Sequence, residues 1–492
     1  MLLTKGRREA SLITPHHAPL RREGLPMRRN LLLLATMALT LLVASGVALA
    51  ATIGSAQATN KVVGPGESIQ KAINAADPGD TIVVRGVHRE DVVIRKDGIK
   101  LRGDDAVIQA PTRAKADSPC SKAFGPEAIC VLGDDNINTD KLEGQRVSDV
   151  SVSGFTIRGF KIAGKGDSTA FVIDATAARN ATVVGNRLIG NVAGGIVASG
   201  SVNTTVAKNH VIGSPKTDAA GIVVEGSSRT TVVKNDVRSI PEGRFAIEAI
   251  ESRDTTIAGN DLIGNGAGVF LENSTGTKIL SNDITDSTLS GMLILGSTGN
   301  KILSNDISSS GEAGIAIFGP ERASNVGKVV GNRISGGAWG ILLQIAHGGT
   351  FAGNTIRNNC AGMFLESFGF DEPVVGLEVK ANTVEDNTRS CRAAKLDRNF
   401  SGIGIALFST KDMEVTGNHL SGNIPSGPTP VSGGVVVAGN PYEDTAPKPT
   451  NNSVIGNHFG RNKPDIFWDK SGSGNRFLGN LCNTSVPSSL CN

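Results

Sequence analysis

Aromatic residues are scarce in this chain of 492 residues: one Tyr, two Trp and 16 Phe, or 4% of positions. So low a share suits a narrow interior filled by aliphatic side chains. Basic patches are missing as well. The 49 basic and 46 acidic residues leave a net charge of +3, with no Lys/Arg run or stripe beyond the N-terminus, which argues against nucleic acid as partner. None of the six cysteines has C-x-x-C spacing, so a redox or metal role is not expected of them. Met is rare after residue 58 and no His/Met/Cys cluster appears, which argues against copper handling.

What the sequence has in quantity is Gly, 61 residues, and a recurring pattern best seen in GVFLENSTGTKILSNDI, Gly268 to Ile284. Each copy holds a Gly, a short apolar run, a polar turn, a second apolar run, and an Asn with an aliphatic residue two places on. The Asn recurs at 186, 209, 235, 260, 282, 305, 332, 354, 382, 418, 457 and 480, at intervals of 23, 26, 25, 22, 23, 27, 22, 28, 36, 39 and 23. A repeat of that period means a solenoid. Within each copy the apolar residues alternate in steps of two, as in strands, and helical i, i+3, i+4, i+7 spacing is absent. A leucine-rich repeat also has a fixed Asn, but the inward positions here are Val, Ile and Ala, and nothing reads as a returning helix. Three short strands per turn satisfy the pattern. The Asn is expected to take the left-handed conformation that a sharp bend needs, and its amides to bond one another up the stack. At about 4.8 Å per coil, twelve rungs make a rod about 60 Å long.

GIVVEGSSRTTVVKNDV (Gly221 to Val237), GVFLENSTGTKILSNDI and GMLILGSTGNKILSNDI (Gly291 to Ile307) resemble the right-handed parallel β-helix repeats of the pectin-lyase-like superfamily. The resemblance runs from about Lys61 to Asn480. It implies an all-β fold, a single solenoid of about 13–15 coils closed by a short N-terminal capping helix.

Residues 1–58 read as an upstream extension plus a secretory signal: Arg28 and Arg29 precede the apolar run 31–43, and Ala48-Leu49-Ala50 and Ala56-Gln57-Ala58 are small-residue cleavage sites. Met27 looks like the natural start. An uncleaved anchor is the rival, since 31–53 is almost long enough to span a bilayer. No second hydrophobic segment follows, so the mature chain is expected to be secreted or periplasmic, free of the membrane, and monomeric. The cysteines fall into sequence-local pairs, Cys120 with Cys130, Cys360 with Cys391 and Cys482 with Cys491, as staples in an exported chain would, though sequence alone does not fix the connectivity. The solenoid is expected over 59–480. Its features are a cap helix at about 68–76 with Ser68 as N-cap, and an inserted loop at about 111–146 with an acidic patch (Asp134, Asp135, Asp140, Glu143). Long loops fall at about 385–400 and 421–452, the second rich in Pro, before a C-terminal cap at 481–492. His88 and Arg89 read as surface residues of the cap, and Gly154 as standing in place of a ladder Asn.

Alternation sorts the strand after each repeat Gly into two outward columns. One reads Val197, Val223, Glu248, Phe270, Leu293, Ala316, Leu342, Phe364, Ala406, Val436; the other Ser199, Glu225, Ile250, Glu272, Leu295, Phe318, Gln344, Glu366, Phe408, Ala438. In polysaccharide-processing members of the superfamily the groove runs over this sheet, so the resemblance implies where to look. Glu225, Glu248, Glu272 and Glu366 are candidates for holding Ca²⁺, whose preference for oxygen suits carboxylates on neighbouring coils. Phe270, Phe318, Phe364 and Phe408, with Gln344, are candidates for binding sugar. A lyase also needs a base working near neutral pH. Neither column holds Lys, Arg or His, so the candidates lie in loops: Arg389, Arg392, Lys395 and His347, with Arg244, Arg322 and Arg398 beside them. Outward apolar rows, however, are more often covered by a loop or tail than used for binding. The coils from Trp339 to Tyr442, which carry the large insertions, are the expected functional zone.

Two functions follow. The sharper is a pectate-lyase-like enzyme cleaving an acidic polysaccharide with Ca²⁺. The blander is a non-catalytic surface, adhesion or periplasmic accessory β-helix, similar to the β-helix partner in nitrous-oxide-reductase maturation. The paired Asp and Gly-His-Gly of pectin-type hydrolases and the Asp-Pro-His-Asp of alginate epimerases are both missing.

Overall fold

The computed structural model describes residues 58–491 except 112–126, 134–145, 162–170, 215–219, 241–242, 320–324, 368–371, 394–397, 442 and 444. Among the described residues the chain winds into parallel coils of three short strands, as in Ala267–Glu272, Lys278–Leu280 and Asp283–Thr285. The first strand of each coil joins a fifteen-stranded parallel sheet, here the front sheet. It runs in strict chain order from Val92–Ile94 to Ser485–Val486. The other two strands of each coil form a second, 28-stranded sheet bent at the Asn. Successive coils pair in register, Val269 with Met292 and Ile279 with Ile302, so every inward position repeats and the core is one continuous aliphatic column. The expected all-β parallel β-helix, its three strands per turn and its coil count are therefore observed.

The Asn column is an unbroken ladder. From Asn186 to Asn480 each side-chain Nδ2 donates to the Oδ1 of the next rung at 2.8–3.1 Å. Each Oδ1 also accepts the backbone N–H of the rung before, as Asn282 Oδ1 does from Asn260 at 3.0 Å. The bend itself is not made as expected. The left-handed residue is the one before each ladder Asn, such as Lys234 (φ 56°), Ser281 (φ 51°) or Ala381 (φ 53°), while the Asn turns its amide inward to serve the ladder. Gly154 follows suit: its φ of 76° makes it the bend residue, and Phe155 holds the ladder position, its N–H donating to Asn186 Oδ1 at 3.1 Å. A second ladder at the next corner joins Asn359, Asn387, Asn423 and Asn462 at 2.8–2.9 Å.

The ends are closed. The helix Ile69–Asn74 is shorter than its sequence pattern, and the Ser68 side chain caps it by accepting from Lys71 N. Its Ile69 and Ile73 cover the first coil. The Glu90 carboxylate accepts from Ile69 N at 2.7 Å and from Ser68 Oγ at 3.0 Å, where the helix dipole favours negative charge. His88, expected at the surface, is buried, its ring nitrogens 3.1 and 3.0 Å from Glu67 O and Arg85 O. At the other end Ser485–Val486 adds the last front-sheet strand within the loop closed by Cys482–Cys491.

Candidate functional site on the front sheet

The two outward columns are seen as the alternation implies: Val223, Glu248, Phe270 and Leu293 stand in register in one, Glu225, Ile250, Glu272 and Leu295 in the other. Along the sheet they form two unlike regions.

The region from Trp339 onward is closed. Cys360–Cys391 ties the segment after Glu385 back to the sheet, and its strands Cys391–Ala393 and Arg398–Phe400 pair as an antiparallel hairpin. Phe400 stacks on Trp339 with ring centroids 5.1 Å apart, and Phe364 meets Phe408 edge-on at 5.1 Å. Phe364 and Phe408 are consequently buried, at 2% and 0% exposure, and turn no ring face to solvent. Beside them Gln344 Nε2 donates to Glu366 Oε1 at 2.8 Å, with Asn440 Nδ2 at 3.5 Å from the other oxygen. Burial pushes the Glu366 carboxyl up to about 7 against those hydrogen bonds, with Glu443 adding to the rise. Arg389 is exposed and donates to Gly336 O, and Arg392 is exposed on the hairpin. His347 begins the next strand of the second sheet, 3.8 Å from Glu372. Lys395, Arg322, Tyr442 and the acidic patch of the inserted loop lie outside the described residues, as do Cys120 and the leader.

Among the described residues the region from Ile222 to Phe318 is the more open, although Val223 and Phe270 are buried in it. Glu225, Glu248 and Glu272 stand on three successive strands, with half-buried Ile250, Leu293, Leu295 and Phe318 along the same face. Glu248 lies between Val223 and Phe270 in its own column, with Glu225 and Glu272 on the diagonals. Phe270 is capped by Phe245, parallel within 9° and 4.2 Å away. This apolar bed desolvates Glu248 and pushes its carboxyl up to about 7; Arg244 opposes the rise, and the charges of Glu225 and Glu272 add to it. A carboxyl that takes and gives a proton near neutral pH is what acid–base chemistry needs.

The four glutamates do not converge. Glu366 is four strands beyond Glu272, about 19 Å along the sheet. Among the described residues no group of three or more His, Cys, Asp or Glu is placed to hold one metal ion.

Two features escaped sequence reasoning. Alternation would turn Phe245 inward, but the register passes from Phe245–Ala267 to Ile247–Val269 with no pair between, and the ring swings out. Further back, Glu127 and Asp174 are both buried at the start of the sheet. Burial and their proximity push the Glu127 carboxyl up, and burial raises Asp174. Glu127 Oε2 lies 2.8 Å from the sulfur of disulfide-bonded Cys130, which has no proton to give, so the contact suits a protonated carboxyl.

Two family descriptions match the sequence: a right-handed β-helix region over residues 220–371 and 267–459, and the periplasmic copper-binding protein NosD over 153–244. With the stacked coils, the first of these shows a right-handed parallel β-helix of repeated turns. No curated protein matches it significantly in sequence. Among solved structures the fold is similar to a tailspike protein of E. coli bacteriophage HK620 in complex with a pentasaccharide, at TM-score 0.52 and 13% identity, covering 83% of this chain and 76% of that one. Also similar are the A-module of the Azotobacter vinelandii mannuronan C-5 epimerase AlgE4 (TM-score 0.43, 16% identity, 64% of this chain and 88% of that) and the periplasmic alginate epimerase AlgG (TM-score 0.37, 14% identity, 83% of each). At such identities the likeness is one of fold.

Proposed function

We propose that this is an exported glycan-active rod that lays an extended polysaccharide along the open front sheet and hydrolyses it with Glu248 as proton donor. The observation that carries the reading is the Glu248 carboxyl, half-buried on the front face with Glu225 and Glu272 on its diagonals and pushed up to about 7 by its apolar bed. Glu248 would protonate the glycosidic oxygen, and Glu225 or Glu272 would activate the water. One strand across and two residues along separates the backbone of Glu248 from each partner by about 8 Å, and carboxyls held about 6.5–9.5 Å apart would leave room for that water, as in inverting enzymes. The half-buried aliphatic residues and Phe245 supply apolar ground for sugar rings. The tailspike neighbour, whose name includes a bound pentasaccharide, supports the substrate class, and the disulfides suit an oxidising compartment.

Pectate-lyase-like β-elimination, with Ca²⁺ and a cation from 389–398, is the second reading; on its side is that a carboxyl near 7 can also take a proton. Incubating the full chain with a panel of polysaccharides, with Ca²⁺ or EDTA, separates them. New reducing ends that persist in EDTA, bring no ultraviolet absorbance of unsaturated uronate and vanish in Glu248→Gln establish hydrolysis. Absorbance that EDTA removes establishes elimination. Binding without either product leaves a non-catalytic rod and refutes both.

A further inference from the structure

A second feature of opposite charge lies near the N-terminal end of the rod, where the third strand of each coil turns toward the front sheet. There a cleft of about 550 Å³ is lined by Arg89, Gln109, Arg158, Lys161 and the turn glycines Gly159 and Gly190. All three cations are exposed, and none has a hydrogen-bond or ion-pair partner among the described residues. Most charged side chains of the nearby first coils are spoken for: Arg85 pairs with Asp104 at 2.9 Å, Lys61 with Asp80 at 3.0 Å, and Glu90 holds the helix N-terminus. Gly159 (φ 82°) and Gly190 (φ 62°) make the left-handed bends, and a Cβ on either would point into open space. Equivalent bends elsewhere use Ser239, Asp286 or Arg461 as well as Gly264, Gly336 and Gly422, and glycine at these two leaves the cleft floor bare.

We propose that this cleft binds the anionic groups of the glycan whose backbone the open face acts on. The inference rests on the proposed glycan function and narrows its substrate class. Three unpaired cations around a hollow suit carboxylate, sulfate or phosphate groups, and the two guanidinium forks can hold such oxygens in pairs. Arg158 ends the coil whose front strand is Ile129–Leu132 and Lys161 leads into Phe171–Thr176, three to four strands before that of Glu248, about 14–19 Å along the rod. That exceeds the screening length of about 8 Å at physiological salt, so the two sites act on separate parts of one chain. The Glu225, Glu248 and Glu272 face disfavours charge on the sugar being cleaved. The matching substrate is therefore a heteropolysaccharide with acidic groups at intervals, an acidic sugar anchored in the cleft and a neutral one presented to Glu248.

The test is binding of a fluorescent oligogalacturonate, and of the same oligomer with its carboxyls reduced, to the full-length mature protein. The expected result is that the charged oligomer binds at low salt, its affinity falls as salt rises, and the reduced oligomer binds at least tenfold more weakly. Arg158→Glu with Lys161→Glu should weaken the charged oligomer by at least tenfold while circular dichroism and melting stay those of the parent. Equal binding of both oligomers, no loss in the double variant, or no binding of the charged oligomer at low salt would each overturn the proposal. So would a single-stranded nucleic acid of equal charge binding more tightly. The two readings fail separately: turnover that depends on Glu248 with no effect of the double variant removes the cleft and keeps the hydrolase, and the converse removes the hydrolase alone.

Discussion

If Glu248 is kept near 7 by its surroundings, the folded protein bears a cost for it that can be measured without any substrate. Below pH 4.5 the carboxyl is protonated in both the folded and the unfolded chain and contributes nothing to the difference between them. As pH rises from 4.5 the unfolded chain ionises first, so stability falls until about 7, above which both states are ionised and the full penalty stands. At about 1.4 kcal/mol per pH unit, the gap between 4.5 and about 7 amounts to about 3 kcal/mol, and solvent reaching the half-buried group reduces it to about 2 kcal/mol. Glu248→Gln removes the charge and keeps the shape. Urea unfolding of parent and variant should therefore coincide at pH 4 and diverge through pH 5–7, with the variant more stable by about 2 kcal/mol at pH 8. Glu366 and the Glu127–Asp174 pair add their own pH dependence to both proteins, so the quantity read is the difference between the two curves. Superimposed curves at pH 8 would refute the desolvated bed of Val223, Phe270 and Phe245 as the cause, and the choice of Glu248 as proton donor with it.

Two structural predictions accompany it. Asn282→Ala removes a side chain that accepts from Asn260 N and Nδ2 (3.0 and 2.8 Å) and donates to Ile257 O and Asn305 Oδ1 (3.0 and 2.9 Å), so stability should fall by about 3–5 kcal/mol. Asn480→Ala, at the last rung with no Asn beyond it, removes three such bonds instead of four and should cost less, and equal losses in denaturant melts would count against a cooperative ladder. Replacing Cys360 and Cys391 by Ser opens a 31-residue loop, for which chain entropy gives about 3–4 kcal/mol. Because the hairpin also roofs Trp339, its fluorescence should shift to the red; an unshifted spectrum would mean that the hairpin docks without the bridge.

The ladder could be read from the sequence because Asn recurs where a buried amide has a partner above and below. The outward columns could be read because strand alternation fixes which residues share a face. What spacing could not convey was which of two adjacent residues takes the strain of the bend. Lys234, Ser281 and Ala381 carry it, and only the need of the next Asn to point inward forces that choice. Nor could spacing distinguish an open face from a roofed one. Phe270, Phe318, Phe364 and Phe408 look alike in their columns, yet a loop anchored at Cys360 buries two of them, and Phe270 lies under a ring that alternation had turned inward. The glutamates divide for the same reason: three adjacent strands gather Glu225, Glu248 and Glu272, while Glu366 is drawn into a polar contact with Gln344 and Asn440 from a later coil.

The ladder bond between Asn332 and Asn354, 22 residues apart, measures 3.0 Å, and that between Asn418 and Asn457, 39 residues apart, measures 2.9 Å. What one coil must deliver to the next is a single amide at a single height, whatever length of chain intervenes. Lineages can therefore lengthen, shorten or exchange a loop without retuning the rest of the protein, so a working surface can be revised one turn at a time while inheritance of the frame is left intact.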